Sequence, residues 1–339
     1  MGAIGEFSSD SPEEVIMLRS ILILASTVCL VMCLTAWPVA GNRADINADQ
    51  QVDAADAAIL ANLLAGNLDL AGYDLANVVV VAPQGGDFTD PRAALNWVAT
   101  QSPSATNRYL VLVAPGEYTT TSSFGIPSYT TLKGYDRANT RILRTGVFFV
   151  YTSSAEGVAI QDLTFVQDHP SGAGGTMGIY FGTCTNVRIS RVDIAVSDAV
   201  SASPRAFTFS DCSDVRLEHV NATVTGLPSC TSNAYGLISR GAGMQIRDCT
   251  IEVRHERTGT GSFALEVEDP GSGDQPDIRV WNSNLYASTA SGGSNFYLHM
   301  EDTSFGWIRL FHCQLDGVCS TSTQIIRAGC FNESGVSVP

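Results

Sequence analysis

The sequence specifies an all-β fold, a right-handed parallel β-helix, with an N-terminal capping helix and a short α-helical calcium-loop segment ahead of it. The first observation behind this is an internal repeat. Val158-Ala-Ile160-Gln-Asp-Leu163-Thr-Phe165 recurs as Val187-Arg-Ile189-Ser-Arg-Val192-Asp-Ile194 and as Val215-Arg-Leu217-Glu-His-Val220-Asn-Ala222. It returns from Met244, Ile278 and Ile308, so successive starts differ by 29, 28, 29, 34 and 30 residues. Within each unit apolar residues alternate, skip two polar positions and alternate again, which reads as strand, tight corner and second strand with one buried face. The second observation is another series: Ile179-Tyr-Phe181, Phe207-Thr-Phe209, Tyr235-Gly-Leu237, Phe263-Ala-Leu265 and Phe296-Tyr-Leu298. These are expected to stack in that register. Such short strands cannot bury a face alone, and stacked turns build one continuous core. The third is composition: 16% charged residues and 31 glycines favour many short strands and turns over a helical bundle or a disordered chain. A leucine-rich repeat would carry LxxLxLxxN, which is absent, and a β-sandwich would not keep so regular a register.

From the N-terminus, residues 20–34 (SILILASTVCLVMCL) form an apolar run behind Arg19, shorter than the roughly 20 residues of a membrane span. The run reads as the core of a signal peptide in a leader over 1–40, cleaved after Ala36 or Ala40, with Met17 as an alternative start. An uncleaved anchor is a second reading. A lipoprotein attached through Cys33 is disfavoured by Val31 and Met32, which are not the small residues such a site prefers. Export implies a secreted or cell-surface protein with no membrane segment after cleavage. The formal net charge is −15, and beyond residue 40 there remain 30 acidic against 18 basic residues. A field that acidic repels phosphates, which excludes nucleic acid as a partner. Of nine cysteines, Cys29 and Cys33 fall in the leader and none shows CxxC spacing, so zinc is unsupported.

The segment 41–75 opens with Asp45-Ile-Asn47-Ala-Asp49-Gln-Gln51-Val-Asp53-Ala-Ala-Asp56. Side-chain oxygens fall at positions 1, 3, 5, 9 and 12 of a twelve-residue loop, and the Gln51 carbonyl can serve position 7. That spacing suits a hard cation with six to eight oxygen ligands, namely Ca²⁺. Ile59, Leu60, Leu63 and Leu64 follow at helical spacing and predict an exiting helix over 55–64. The segment resembles one repeat of a type I dockerin over about 25 residues, and the resemblance implies a cohesin-like protein as a partner. Gln50 stands where that family carries glycine for the sharp turn, and no second repeat follows. The alternative is an acidic, solvated turn.

The β-helix is assigned to 76–339. Residues 78–83 (VVVVAP) begin a strand, and Asp90-Pro91 cap a helix over 92–99, since Asp can accept from free amides while Pro fits the first helical position. Residues 109–113 form the next strand, closed by Pro115-Gly116. The stretch VVAPQGGDFTDPRAALNWVA…RYLVLVAPGEYTT resembles the N-terminal part of pectin methylesterases and related β-helices, in which a helix plugs the open end of the coil. GVAIQDLTFVQ (157–167) is similar to the methylesterase segment before the active site. The QDT and DFIFG-like motifs that carry that family's catalytic Gln, Asp and Arg do not follow. The NTD…DD…GHG set of polygalacturonases and the vWiDH motif of lyases are also absent, so no catalytic residue carries over. SGGSNFYLHM…LDG…CFNES is similar to bacterial β-helix repeat proteins.

Stacked turns turn the repeat into columns, with neighbouring strands about 4.8 Å apart. An inward column runs Leu163, Val192, Val220, Cys249, Ser283, Cys313, which makes two cysteines core residues. Cys184 and Cys212 occupy equivalent sites one turn apart, within disulfide reach, and Cys319 with Cys330 is a weaker pairing. An outward column runs Arg188, Arg216, Gln245, Arg279, Arg309. Its two readings are a guanidinium ladder gripping the carboxylates or sulfates of an acidic polysaccharide, or arginines neutralised by acids such as Asp193 and Glu252. A second outward strip sets Glu266, Glu268 and Asp269 beside His299, Glu301 and Asp302, with Phe263, Leu265 and Val267 facing the core. Acids so aligned repel unless relieved by a cation, a proton or Arg240. Glu266, Glu268, His299 and Glu301 are therefore candidates for acid–base catalysis, a cation site, or a solvated face.

These features point to an exported, calcium-binding β-helix protein that engages polysaccharide on its side face. The alternatives are a non-catalytic surface, scaffold or adhesin-like protein, and a pectin-type esterase, lyase or glycoside hydrolase with a non-standard site. Calorimetry on the chain without its leader is expected to show calcium uptake at about 10⁻⁴–10⁻³ M, the range of extracellular modules, towards the weak end because of Gln50. Absence of uptake would reduce the loop to a turn.

Overall fold

The computed structural model describes residue 57 and residues 73–169, 176–198, 203–268, 277–290, 292–300, 307–319, 325–332 and 334–337. The apolar leader run and the acidic loop from Asp45 to Asp56 lie outside the described residues. Among the described residues no helix is long and apolar enough to cross a membrane.

The chain is a parallel β-helix, and right-handed winding is the sense that parallel crossovers take. One long sheet of 16 strands bends round two sides of the coil, and a sheet of seven strands closes the third. Every pairing between named strands is parallel, each strand lying on its counterpart one coil earlier. The six repeat segments stack as the period predicts: Val187 pairs with Val215, Val215 with Met244, Met244 with Ile278, and Ile278 with Ile308. Arg188 N–H donates to Val158 O at 2.9 Å, which places the first segment in line.

The two polar positions inside each unit form the corner. Asp162, Arg191, His219, Asp248, Asn282 and His312 all sit in the left-handed region, with φ between 47° and 56°. One such residue turns the strand through the corner and returns alternation to the same buried face. The inward column that follows is buried at every position, from Leu163 and Val192 to Cys313. Its polar members share a function. Cys249 Sγ donates to Arg247 O at 3.1 Å, Ser283 Oγ to Trp281 O at 2.7 Å, and Cys313 Sγ to Phe311 O at 3.3 Å. Each closes back over the corner onto a carbonyl that also accepts a backbone N–H, from His219, Asp248 and Asn282 respectively, so the buried donor is satisfied inside the column. Burial pushes Cys249 up to about 12 and Cys313 up to about 11, so both remain thiols at neutral pH. Cys184 and Cys212 are buried free thiols that bond in the same way, to Gly182 O at 3.3 Å and Ser210 O at 3.4 Å.

The predicted cap is helix Pro91–Thr100, with Asp90 accepting from Arg92 N–H at 2.9 Å and Pro91 at the first position. Ala94, Leu95 and Val98 join the same core as Val79, Val111 and Leu132, so the helix closes the N-terminal end of the coil. Strands Val78–Val81 and Tyr109–Val113 are buried on both faces, as a four-valine run requires.

The second repeat series does not stack as the sequence suggests. Ile179 and Phe207 pair with Leu237, Leu265 and Leu298, so the register slips two residues relative to Tyr235, Phe263 and Phe296. The reason is an inward doublet: Ala264 and Leu265 both belong to the core, whereas Phe263 does not. In the middle coils the first residue of the doublet is small, and at two of them the core requires it: a Cβ on Gly178 or Gly236 would meet Ile194 Cδ1 at 2.7 Å or Ile251 Cγ2 at 2.2 Å.

The corner conformation generates a stability prediction. His219→Val places a β-branched residue in the left-handed region and is expected to cost about 1–2 kcal/mol, whereas His219→Asn should stay within about 0.5 kcal/mol of the parent. The midpoints of urea unfolding measure both.

Candidate functional site

The inward doublet puts an unexpected set of side chains on the outer face of the seven-stranded sheet. With 264 and 265 both turned in, Phe263 and Glu266 both turn out. One outer column becomes Met177, Arg205, Tyr235, Phe263, Phe296, and the next becomes Tyr151, Tyr180, Thr208, Ile238, Glu266, His299. A third carries Ser210, Arg240 and Glu268. This face is far from open: Thr208 and Ile238 are fully buried, and Glu266 is 3% exposed. The strip of exposed acids inferred from alternation is therefore corrected to a half-buried polar cluster.

The cluster is built on aromatic stacking. Tyr235 and Phe263 stack at 5.0 Å between ring centroids, Phe263 and Phe296 at 5.3 Å, and the Arg205 guanidinium lies 5.5 Å over Tyr235. These spacings follow the coil repeat, so parallel pairing sets the stack. The His299 ring stands edge-on to Phe263 at 5.1 Å and tilted to Phe296 at 5.2 Å. Its Nδ1 lies 3.1 Å from Glu266 Oε1. That carboxylate orients the imidazole with Nδ1–H donating, which leaves the Nε2 lone pair for chemistry. Glu268 forms an ion pair with Arg240. Burial and the neighbouring Arg240 charge lower Arg205 from the usual arginine value. Burial, followed by the Glu266 charge, raises Tyr235, so its phenol keeps its proton. Glu266 and His299 are brought together, and Glu268 lies in the adjacent column. Glu301, Asp269 and Asp302 lie outside the described residues. Sequence reasoning missed Arg205, Tyr235 and Phe296 as outer-face residues and assigned Phe263 to the core. The available signal was the small residue at Gly178, Ala206, Gly236 and Ala264, which marks where strict alternation fails.

The segments entering this sheet are tied together by His255. Its Nε2 donates to Ser232 O at 2.7 Å and its Nδ1 accepts from Arg257 N–H at 3.1 Å, so the neutral ring satisfies both partners. Asn233 accepts from Gly261 N–H at 2.9 Å and reaches the Tyr235 hydroxyl at 3.2 Å. Two crossover segments thus position the tyrosine.

The arginine column forms in the predicted register, with Arg188, Arg216, Gln245, Arg279 and Arg309 side by side. The arginines lean on different partners from those expected. Arg216 pairs with Asp214 at 3.0 Å, and Asp277 holds Arg279 at 2.6 Å and Arg309 at 2.7 Å. Arg188 bonds Asn186 at 3.2 Å. Asp193 and Glu252 belong instead to Arg137 and Arg254. The neutralising residues sit two positions upstream on the same face, where period-two geometry brings them within reach. Among the described residues no group of three or more His, Cys, Asp or Glu could hold a metal ion.

No family model matches the chain, and no curated protein matches it. Solved structures do. Pectin methylesterase from carrot is 14% identical, with 75% of this chain and 80% of that chain covered, at a TM-score of 0.46. Pectin methylesterase PemA from Erwinia chrysanthemi is 12% identical, covers 79% and 91%, and scores 0.43. Pectin methylesterase from Aspergillus niger is 11% identical, covers 76% and 83%, and scores 0.45. At such identities the likeness transfers no active-site residue.

Burial lowers the folded pKa of His255 below the ordinary 6.5. The unfolded chain then binds a proton more readily than the folded one. The neutral ring's contribution is complete above that ordinary value and is lost as pH falls from there through the lower folded value. Urea unfolding from about pH 8 to about pH 5 is expected to show the decline, and His255→Gln to flatten it.

Proposed function

We propose that this chain is an exported polysaccharide-active protein whose site is the outer face of the seven-stranded sheet, with His299, oriented by Glu266, as general base on an acidic glycan. The observation that carries the reading is the 3.1 Å contact between His299 Nδ1 and Glu266 Oε1, set between Phe263 and Phe296. A histidine with one nitrogen fixed on a buried carboxylate and the other left as acceptor has the arrangement that removes a proton from carbon or water.

The groups around it favour elimination across a uronate. Among the described residues Arg205 makes no ion pair, and its guanidinium is half-buried above Tyr235. Arg205 lies three coils from His299, roughly 14 Å along the sheet, so it would pair with the carboxylate of a neighbouring uronate in the same acidic chain. His299 Nε2 would take the proton from the carbon beside the carboxylate of the uronate at its own position, the C–O bond to the neighbouring sugar would break, and a C=C bond would form. The leaving oxygen would take its proton from water. Glycosidic hydrolysis by paired carboxylates fits less well. It needs one free carboxylate and one protonated partner across the bond, whereas Glu268 is held by Arg240 and Glu266 by His299. The acidic loop Asp45–Asp56 is retained as a Ca²⁺ element that would present the solenoid to a cohesin-like partner.

A panel of uronate-containing polysaccharides tests this, scored for ultraviolet-absorbing unsaturated ends, reducing ends and binding. His299→Ala should reduce turnover by about 10²–10⁴-fold with little change in unfolding midpoint. Binding without turnover by the parent chain would favour the non-catalytic, adhesin-like reading. Full turnover in His299→Ala would remove the histidine from the chemistry.

A further inference from the structure

Between the seven-stranded sheet and the long sheet, three successive coils turn with four residues: 154–157, 183–186 and 211–214. The first and last residue of each corner is left-handed: Ser154 and Gly157, Thr183 and Asn186, Asp211 and Asp214. The next coil makes the same passage with Gly241-Ala242-Gly243 alone. The register runs from Ser210↔Arg240 on one side to Val215↔Met244 on the other, so this corner is one residue short. At that point the side of the solenoid carries a concavity of about 650 Å³, within the roughly 300–1,000 Å³ of small-molecule sites.

Neither glycine is required by the backbone. The counterparts of Gly241 (φ 65°) are Ser154, Thr183 and Asp211 at φ 55°, 52° and 53°. At Gly243 a Cβ would meet nothing nearer than Asp277 O at 3.8 Å. What the absent side chains provide is room. Asp211, Ser213 and Asp214 line one side of the notch, and Asp277 and Arg279 the other. Gln245, which interrupts the arginine column, lies between them. The charges nearly cancel, because Asp214 is paired with Arg216, and Asp277 with Arg279 and Arg309.

We propose that this notch binds one glycosyl unit of a neutral sugar. A carboxylate has about four lone-pair positions, so Asp214 and Asp277, each held by a guanidinium, keep acceptor capacity for vicinal hydroxyls. Arg279 and Gln245 supply donors. A uronate would bring an unpaired negative charge to a notch whose guanidinium groups are already paired, and a bare cation would compete with those same groups. The notch lies at the corner, away from Glu266 and His299, and does not depend on their assignment.

Calorimetric titration of the full chain with glucose, galactose, xylose and galacturonate tests the proposal, using Gly243→Gln to fill the notch and Gly243→Ala as a milder filling. A neutral sugar should bind the parent, and Gly243→Gln should weaken it at least about tenfold with an unchanged unfolding midpoint. Glu266→Gln should leave that binding intact. If Gly243→Gln does not fold, a graded loss in Gly243→Ala carries the same information. The proposal is overturned if no neutral sugar binds, if galacturonate binds in preference, or if both fillings leave affinity unchanged.

Discussion

Each coil satisfies its backbone by lying parallel on the coil before it, and the remaining features of the molecule follow from that pairing. A parallel neighbour cannot be reached by a hairpin, so every strand is matched to its counterpart one turn away, and every side chain to the same position in the next repeat. The spacing is about 4.8 Å whatever the residues are. Side chains that accept this distance stack, as Tyr235, Phe263 and Phe296 do. Side chains that repel at it must recruit partners. The arginine column survives because Asp214 and Asp277 stand two residues upstream on the same face.

The same pairing places the cost of the fold at its corners. A non-glycine residue in the left-handed region costs about 1–2 kcal/mol, and the coil repeats that cost at Asp162, Arg191, His219, Asp248, Asn282 and His312. The residues found there are all polar or charged, whereas the position that follows each is the buried one of the inward column. At the corner the short X–H groups of Cys249, Ser283 and Cys313 find a backbone carbonyl, which explains why serine can replace cysteine in an otherwise apolar column. These buried thiols serve as small hydrophobes carrying a donor.

The outer face of the seven-stranded sheet shows how a local departure from period two creates chemistry. Two consecutive inward residues shift every later side chain of the strand, and they bring an aromatic column, two arginines, two glutamates and a histidine to one half-buried surface. Burial would make bare carboxylates costly. Glu266 is matched to His299 and Glu268 to Arg240, so the cluster is close to neutral in charge yet contains an oriented imidazole. In a low-dielectric setting such contacts are stronger than on an open surface.

The sequence by itself determined the solenoid, its period, the six stacked segments, the capping helix at Asp90-Pro91, the cysteine column and the pairing of Glu266 with His299. All of these rest on spacing along the chain, and spacing is preserved when coils stack in register. Only the tertiary structure decided which way Phe263 faces, which acids hold the arginines, and where the wall is notched. Orientation at Gly236 depends on room left by Ile251 across the core, a contact between strands of different sheets. The notch at Gly241 and Gly243 depends on one missing residue beside corners that keep four. The repeat offsets of 29 and 28 residues there do not show on which side of the strand the residue is lost.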